Sequence, residues 1–153
     1  NLDNNKIVFD LCCGTGTFSC FLAHKCKHVY AIDNNKTNLL DAKSNQYQNN
    51  ITNMTLYLGK VEDIIPKLFD QNTFETSVAI VNPPRKGLNQ QFCNFLISQQ
   101  SITQIIYISC NIDSLKRDLE TMNIQKDQIK NIIPINQFPD TQHIEIIVNI
   151  ILN

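Results

Sequence analysis

The sequence predicts an α/β fold with a mostly parallel, doubly wound sheet, and two observations support this prediction. Short apolar runs alternate with amphipathic segments from residue 6 to residue 122, which is the order of repeated strand–helix units. The last two apolar runs, residues 130–138 and 144–152, are separated only by PDTQH. With no helix between them, they are expected to pair antiparallel. We therefore predict seven strands that end in an antiparallel hairpin.

The first three strand–helix units are predicted from β-branched and aromatic runs, each followed by a helical pattern. Phe18, Phe21 and Leu22 lie on one side of the first helix. The predicted strands are KIVFDL (6–11), HVYAID (28–33) and MTLYL (54–58), and the helices that follow them cover 14–25, 36–48 and a short segment through Ile64 and Leu68.

Two further units complete the parallel part of the predicted sheet. SVAIV (77–81) stops before Pro83 and Pro84, because proline cannot donate a hydrogen bond to a strand ladder. The remaining elements are a helix over 90–98, the strand QIIYIS (104–109) and a helix over 114–122 with Asp113 as its N-cap.

Composition limits the class of protein. A chain of 153 residues, 42% of them hydrophobic, suits one domain with a sizeable core. Its formal charge of -1 lacks the basic surplus of a free-standing nucleic-acid-binding domain, so such a contact would need a local patch or another domain. The six cysteines include no CxxC pair and no zinc-like spacing. We expect free thiols, no metal, no membrane span and an intracellular location.

A nucleotide site is predicted where the first strand ends. DLCCGTGTF places Gly14 and Gly16 at a strand-to-helix turn, where the backbone can pass close to a ligand. Asp33 ends the second strand, where carboxylates hold ribose hydroxyls. A dinucleotide-binding turn has a third glycine at the position of Ser19, and its absence favours S-adenosylmethionine over NAD. Asp10, just before this turn, also favours S-adenosylmethionine, since methyltransferases often place an acid near the methionine end of this cofactor.

A thiol lies at the tip of another predicted strand. Cys110 follows QIIYIS, at the sheet edge where α/β proteins bind ligands. This position predicts a nucleophile, and the competing interpretation is a buried structural thiol.

Four segments, in this order, resemble the RNA uracil-5-methyltransferases, which form 5-methyluridine in tRNA and ribosomal RNA: DLCCGTGTF, NPPRKGL, YISCN and FPDTQHIE. The resemblance spans nearly the whole chain. It implies a Rossmann-like class I S-adenosylmethionine-dependent methyltransferase domain over residues 1–153, forming the C-terminal part of a longer protein. It also implies an RNA substrate, with tRNA favoured over rRNA, and RNA affinity that needs upstream domains.

The resemblance also implies roles for individual residues. Cys110 matches the family's nucleophile, and Glu145 its general base. Arg85 and Asn111 are expected to contact the substrate. The expected cofactor-binding positions are Asp10, Cys12, Gly14, Gly16, Thr17, Asp33 and Asn82. Most members have aspartate where Asn82 stands, and we expect its amide oxygen to accept a hydrogen bond in place of the carboxylate.

The implied chemistry needs these residue types. C5 of uracil is too weak a nucleophile to attack a methyl sulfonium until a thiolate adds to C6, and a base must then remove the C5 proton. A free cysteine has a pKa of about 8.5, so the site must favour the thiolate. The helix start after Asn111 is one candidate influence and Arg85 another. Arg85 could instead bind RNA phosphate or fix its loop through a carboxylate.

Two other functions compete with this one. NPP after the fourth strand suggests an amino-group methyltransferase, although those enzymes usually have an aromatic residue where Arg85 stands. A non-catalytic RNA-binding or RNA-folding module is the other, and Asn82 is its only sequence hint.

Overall fold

The computed structural model describes residues 4–137, 139–141 and 144–152. Within these ranges, strands and helices alternate as far as α5. The elements are β1 (Ile7–Leu11), α1 (Thr17–Ala23), β2 (His28–Asp33), α2 (Lys36–Gln48), β3 (Met54–Leu58), α3 (Val61–Gln71), β4 (Ser77–Val81), α4 (Gln90–Ser98), β5 (Ile102–Ser109), α5 (Ile112–Thr121), a 3-10 helix (Lys126–Gln128), β6 (Ile129–Ile135) and β7 (Glu145–Ile151).

The seven strands form one sheet in the order β3-β2-β1-β4-β5-β7-β6. β2 pairs parallel with β1 and with β3, whereas β7 pairs antiparallel with β5 and with β6. The predicted fold class, a mostly parallel sheet with a C-terminal antiparallel hairpin, is confirmed. By its contacts the chain forms two compact units, Asn1–Ala79 and Ile80–Asn153.

The core of the first unit forms around β1 and β2, where Val8, Phe9 and Leu11 of β1 and Val29, Ala31 and Ile32 of β2 are fully buried. Helix α1 differs from the sequence prediction in its start, in its end at Ala23 rather than residue 25, and in the side that it buries. It begins at Thr17 rather than residue 14, because Gly14 and Gly16 have positive φ angles of 56° and 76°. In addition, Phe18 is 42% exposed, and the buried side of α1 carries Ser19 and Ala23 instead of its aromatic residues.

The second unit packs α4 and α5 around β5 and β7. Its buried side chains include Phe92, Leu96, Tyr107, Leu115 and Val148. Helix α5 begins at Ile112, two residues before the predicted start, and its N-cap is Asn111 rather than Asp113. The Asn111 side chain accepts hydrogen bonds from the backbone amides of Asp113 and Ser114 at 2.9 and 3.3 Å. The predicted cap was wrong because Asp113 already lies within the first helical turn.

Candidate active site

The turn after β1 is tied to the end of β2 by backbone hydrogen bonds. The amides of Cys12 and Cys13 both donate to the carbonyl oxygen of Ile32 at 2.9 Å. The amide of Gly14 donates to Oδ2 of Asp33 at 2.9 Å. Cys12 itself has a positive φ of 70°, a conformation that non-glycine residues rarely adopt. The predicted nucleotide turn is therefore a preformed, tightly curved segment.

The two glycines of this turn serve different purposes. A Cβ atom on Gly16 would lie 3.0 Å from the Cβ of Ala42, so glycine here lets α2 approach the turn. A Cβ atom on Gly14 would meet no atom within 4 Å. The backbone at Gly14 therefore faces open space, and that is the side on which a ligand can approach.

Asp10 is fully buried and only half satisfied. Its Oδ2 accepts a hydrogen bond from the Ser19 hydroxyl at 2.5 Å, whereas its Oδ1 has no hydrogen-bond partner among the described residues. Burial raises the pKa of this carboxyl group to about 6. Buried acceptors are almost always paired, so Oδ1 fits a ligand that brings a donor, such as the ammonium group of S-adenosylmethionine.

Asp33, the expected ribose-binding residue, is already engaged by the protein. Its Oδ1 accepts from the Asn35 amide at 2.8 Å and from the Asn38 side chain at 3.4 Å, and its Oδ2 accepts from the amide of Gly14. These bonds fix the carboxylate at the end of β2 and leave acceptor capacity, because each oxygen carries two lone pairs. Ribose binding by Asp33 stays a prediction.

Cys12 and Thr17 complete the expected cofactor positions of the first unit. Cys12 is half-buried, and burial together with nearby acids raises the pKa of its thiol to about 12. It therefore stays protonated at neutral pH and cannot act as a nucleophile there. Thr17 is exposed at the first residue of α1, with its hydroxyl 3.3 Å from that of Thr15.

Cys110 lies in a turn that its two neighbours hold in place. The amide of Asn111 donates to Oγ of Ser109 at 3.0 Å, and the Ser109 hydroxyl donates back to the carbonyl oxygen of Asn111 at 2.8 Å. Asn111 also caps α5. The Cys110 thiol is partly exposed, unlike the buried thiols of Cys26 and Cys93. Cys110 is therefore not among the buried cysteines, and its role as a nucleophile stays a prediction.

Strand register brings Cys110 and Glu145 to the same end of neighbouring strands. β5 and β7 are antiparallel, and Ser109 pairs with Ile146. Cys110 and Glu145 are the residues next beyond that pair, and Glu145 is half-buried at the start of β7. Of the motif before it, Phe138, Gln142 and His143 lie outside the described residues. The two expected catalytic residues thus come from strand ends that are direct neighbours in the sheet.

The segment after β4 carries Asn82 and Arg85, both exposed. Within the described part of the chain, Arg85 makes no ion pair, so a carboxylate bound to Arg85 is not what holds this loop. The loop is held instead by Arg117 and Asp118 of α5, which bind the backbone of Lys86 and Leu88. A substrate contact by Arg85 stays a prediction.

The described residues also bear on two further features, metal ligands and membrane-spanning helices. Among the described residues, no group of three or more histidine, cysteine or acidic side chains is arranged to hold a metal ion. None of the described helices is both long and apolar enough to cross a membrane.

The sequence profile of the tRNA (Uracil-5-)-methyltransferase family matches residues 2–152. The chain belongs to this family. Its relatives include an uncharacterized RNA methyltransferase of Enterococcus faecalis, which is 41% identical over 144 residues, and a putative RNA methyltransferase of Acanthamoeba polyphaga mimivirus, which is 36% identical over 146 residues. The alignments cover 94% and 93% of this chain but only 31% and 37% of those proteins. The chain thus spans about a third of the length of these family members.

A solved structure has a similar fold. The crystal structure of the Pyrococcus abyssi tRNA (uracil-54, C5)-methyltransferase, in complex with S-adenosyl-L-homocysteine, superposes with a TM-score of 0.78 at 25% identity. It covers 98% of this chain, which corresponds to 35% of the P. abyssi chain. The predicted family, the class I methyltransferase fold and S-adenosylmethionine as the cofactor agree with these comparisons.

Sequence reasoning missed three residues that support the candidate site. Ser19 was noted only as a missing glycine, yet it binds Asp10. Ser109 closes the turn around the thiol. Asp118 lies on the same side of α5 as the buried Leu115 and Met122. A charged residue within an apolar stripe is unusual, and this pattern in the sequence could have indicated that Asp118 is buried and bound to partners.

Proposed function

We propose that this protein is the catalytic domain of an S-adenosylmethionine-dependent RNA methyltransferase that forms 5-methyluridine, in tRNA rather than rRNA. The observation that supports the proposal most is the placement of Cys110 and Glu145 at adjacent ends of β5 and β7, in a chain of the tRNA (uracil-5-)-methyltransferase family. A partly exposed thiol and a half-buried carboxylate at one sheet edge match the nucleophile and base that the reaction needs.

The residues of the first turn fit the cofactor. Asp10 offers an unpaired acceptor, Gly14 leaves open space above the backbone, and Asp33 holds a fixed carboxylate. When bound, S-adenosylmethionine supplies the methyl group that C5 of uracil receives. Asp10, Gly14 and Asp33 would hold it, with contributions from Cys12, Gly16, Thr17 and Asn82.

The catalytic residues act on the uracil ring in sequence. The Cys110 thiolate forms a bond to C6, and the electron pair of the C5–C6 double bond moves into the ring as an enolate. After C5 is methylated, the Glu145 carboxylate removes the C5 proton, the double bond reforms and the sulfur leaves as thiolate. Arg85 and Asn111 would contact the RNA near the target base.

A substrate analogue tests this mechanism. With 5-fluorouridine tRNA and S-adenosylmethionine, C5 carries fluorine in place of the proton, so the Cys110–C6 bond cannot be released. We expect a covalent protein–RNA complex on a denaturing gel, with its mass confirmed by mass spectrometry. Cys110→Ala should form none. Cys20→Ala is the matched control, because Cys20 is also a partly exposed thiol but has no role in the proposed mechanism.

The other outcomes separate the competing functions. No complex with wild type, despite measured binding of cofactor and RNA, would contradict the proposal and favour a non-catalytic RNA-binding module. Methylation of an exocyclic amino group, detected by nucleoside analysis of natural tRNA, would favour the amino-group methyltransferase instead.

A further inference from the structure

A buried carboxylate in α5 joins three separate segments of the second unit. Asp118 is 1% exposed. Its Oδ2 accepts hydrogen bonds from the Tyr107 hydroxyl at 2.6 Å and from the Leu88 amide at 2.7 Å. Its Oδ1 accepts from Arg117, at 2.6 Å from Nη2 and 3.0 Å from Nε. One side chain thus contacts the strand that leads to Cys110, the helix that follows it and the loop that carries Arg85.

Arg117 extends this contact to the loop backbone. Its Nη2 donates to the carbonyl oxygen of Lys86 at 2.7 Å and to that of Leu88 at 3.3 Å. The loop is itself folded into a turn, since the amide of Gly87 donates to the carbonyl oxygen of Pro84 at 2.8 Å. The guanidinium and the carboxylate therefore bind the backbone on both sides of Gly87.

Gly87 is the residue that permits this close approach. Its φ is +72°, and a Cβ atom there would lie 2.5 Å from both Nη2 of Arg117 and Oδ2 of Asp118. Any side chain at this position would push the loop away from α5. The contact between the loop and α5 thus needs glycine at position 87 of the loop and an acid at position 118 of the helix.

We propose that Asp118, together with Arg117, is a positioning residue: it fixes the turn at 84–88, and with it Arg85, relative to the strand and helix that flank Cys110. This inference rests on the proposed function, because it assigns Asp118 a role in presenting Arg85 and Cys110 to the same target base. Asp118 touches neither substrate nor cofactor in this proposal and acts through the loop.

A purely structural role explains the arrangement less well. Burying the carboxylate of Asp118 has a desolvation cost, because its ion-pair partner Arg117 is 54% exposed and only Asp118 leaves the water. An apolar side chain between Leu115 and Met122 would avoid that desolvation, but it would leave the Tyr107 hydroxyl and the Leu88 amide without their acceptor. The acid is explained instead by its three different partners, two of which, Tyr107 and the loop, lie on the segments that carry the proposed catalytic and substrate-binding residues.

Variants from both sides of the contact test the proposal in the full-length protein with 5-fluorouridine tRNA. Asp118→Asn acts from the helix side, since an amide cannot accept all of these bonds, and Gly87→Ala acts from the loop side. Misplacing a reacting group by about 1 Å can slow a reaction about 100-fold, so we expect complex formation to slow between about 10- and 100-fold in both variants. Glu120→Gln on the same helix is the matched control, because Glu120 forms only an exposed i,i+4 pair with Lys116.

Two readouts separate positioning from folding. The final amount of covalent complex reports the fraction of protein that is folded, whereas the rate constant at saturating RNA reports how well the folded protein is arranged. We expect the variants to keep the amount and the affinity for S-adenosylhomocysteine within about twofold while the rate constant falls. If Asp118→Asn fails to fold, Arg117→Lys tests the same contact. The Arg117 side chain is 54% exposed, so its replacement should not prevent folding. Lysine cannot donate to the loop and to Asp118 with the fork geometry of arginine, so the rate constant should still fall.

The failures are distinguishable. If wild type forms no complex, the proposed function is overturned and this inference falls with it. If wild type forms the complex and the variants form it at the same rate, or lose amount without losing rate, only the positioning role is overturned.

Discussion

At the scale of single residues, Asp10 has a pH dependence that can be worked out from its surroundings. It is an acid, fully buried, and burial raises its pKa from 3.8 to about 6. The folded protein therefore binds this proton more tightly than the unfolded chain does. In the absence of cofactor, the free energy of unfolding is expected to fall as pH rises from about 4 to about 6 and to be constant above that. The contribution of Asp10 to this fall is at most about 3 kcal/mol.

Replacing Asp10 tests that expectation. Asp10→Asn should remove this part of the pH dependence and make the cofactor-free protein more stable than wild type at pH 7, as measured by urea unfolding between pH 4 and 7. Asp41→Asn is the control, because Asp41 is an exposed acid on α2. A wild-type pH slope that persists unchanged in Asp10→Asn would contradict the assignment.

The same residue should link pH to ligand binding. If Asp10 receives the ammonium group of the cofactor, it must be ionised to bind it well, so the affinity for S-adenosylhomocysteine should rise with pH until about pH 6. We expect Asp10→Asn to bind about 10-fold or more weakly at pH 7, because hydrogen bonds to charged groups contribute about 1.5–3 kcal/mol. Calorimetric titration across this pH range measures both effects.

Single residues also mark the limit of what could be predicted from the sequence. The positions of Gly14 after β1, Asp33 at the end of β2 and Cys110 after β5 follow from strand prediction alone, since each of these strands was predicted with its carboxyl end at or just before that residue. The hydrogen-bond partners Leu88 and Tyr107 of Asp118 could not be predicted from strand and helix patterns, because they lie 30 and 11 residues away from it in the chain. Such contacts depend on tertiary packing, which local patterns do not encode.

At the scale of elements, prediction succeeded where the apolar pattern is regular and failed where one side chain decides a boundary. β2, α2, β3, β4 and α4 begin and end where the sequence predicts. α1 is shortened by two glycines in left-handed conformations, and α5 is extended by the cap at Asn111. The sequence predicted Asp113 as the cap, and residue type alone could not point to Asn111 instead, because asparagine and aspartate cap helices about equally well.

The cap of α5 supports an element-scale prediction. Asn111→Ala should lower the free energy of unfolding by about 1 kcal/mol, the usual effect of losing an N-cap. At saturating RNA it should also slow complex formation with 5-fluorouridine tRNA, because it loosens the turn around Cys110, whereas loss of its proposed RNA contact should show as weaker tRNA binding. The control is Asn89→Ala, since Asn89 caps α4 by accepting from the amide of Phe92 at 2.8 Å. Both variants should lose similar stability, measured by urea unfolding.

Only the α5 cap should affect the reaction. Equal slowing by Asn89→Ala would mean that general destabilisation is responsible, and no slowing by Asn111→Ala would mean that the cap does not hold the thiol in place.

At the scale of the whole molecule, net charge and chain length bear on the proposed binding of RNA. The 13 basic side chains are balanced by 14 acidic ones, so the chain has little net attraction for phosphates. The family members that it matches are about three times as long, because the alignments cover only 31% and 37% of them. We therefore propose that affinity for RNA needs sequence outside residues 1–153.

A salt titration tests this proposal with unmodified tRNA. Each phosphate contact adds to the slope of log affinity against log salt, so residues 1–153 alone should bind tRNA about 100-fold more weakly than a full-length protein and with a shallower slope. Binding of S-adenosylhomocysteine by the same preparation establishes that the fragment is folded, which separates lost phosphate contacts from lost structure. Equal affinity and equal slope would place the RNA-binding surface within these 153 residues, where a local arrangement of basic side chains, including Arg85, would have to overcome the net charge of -1.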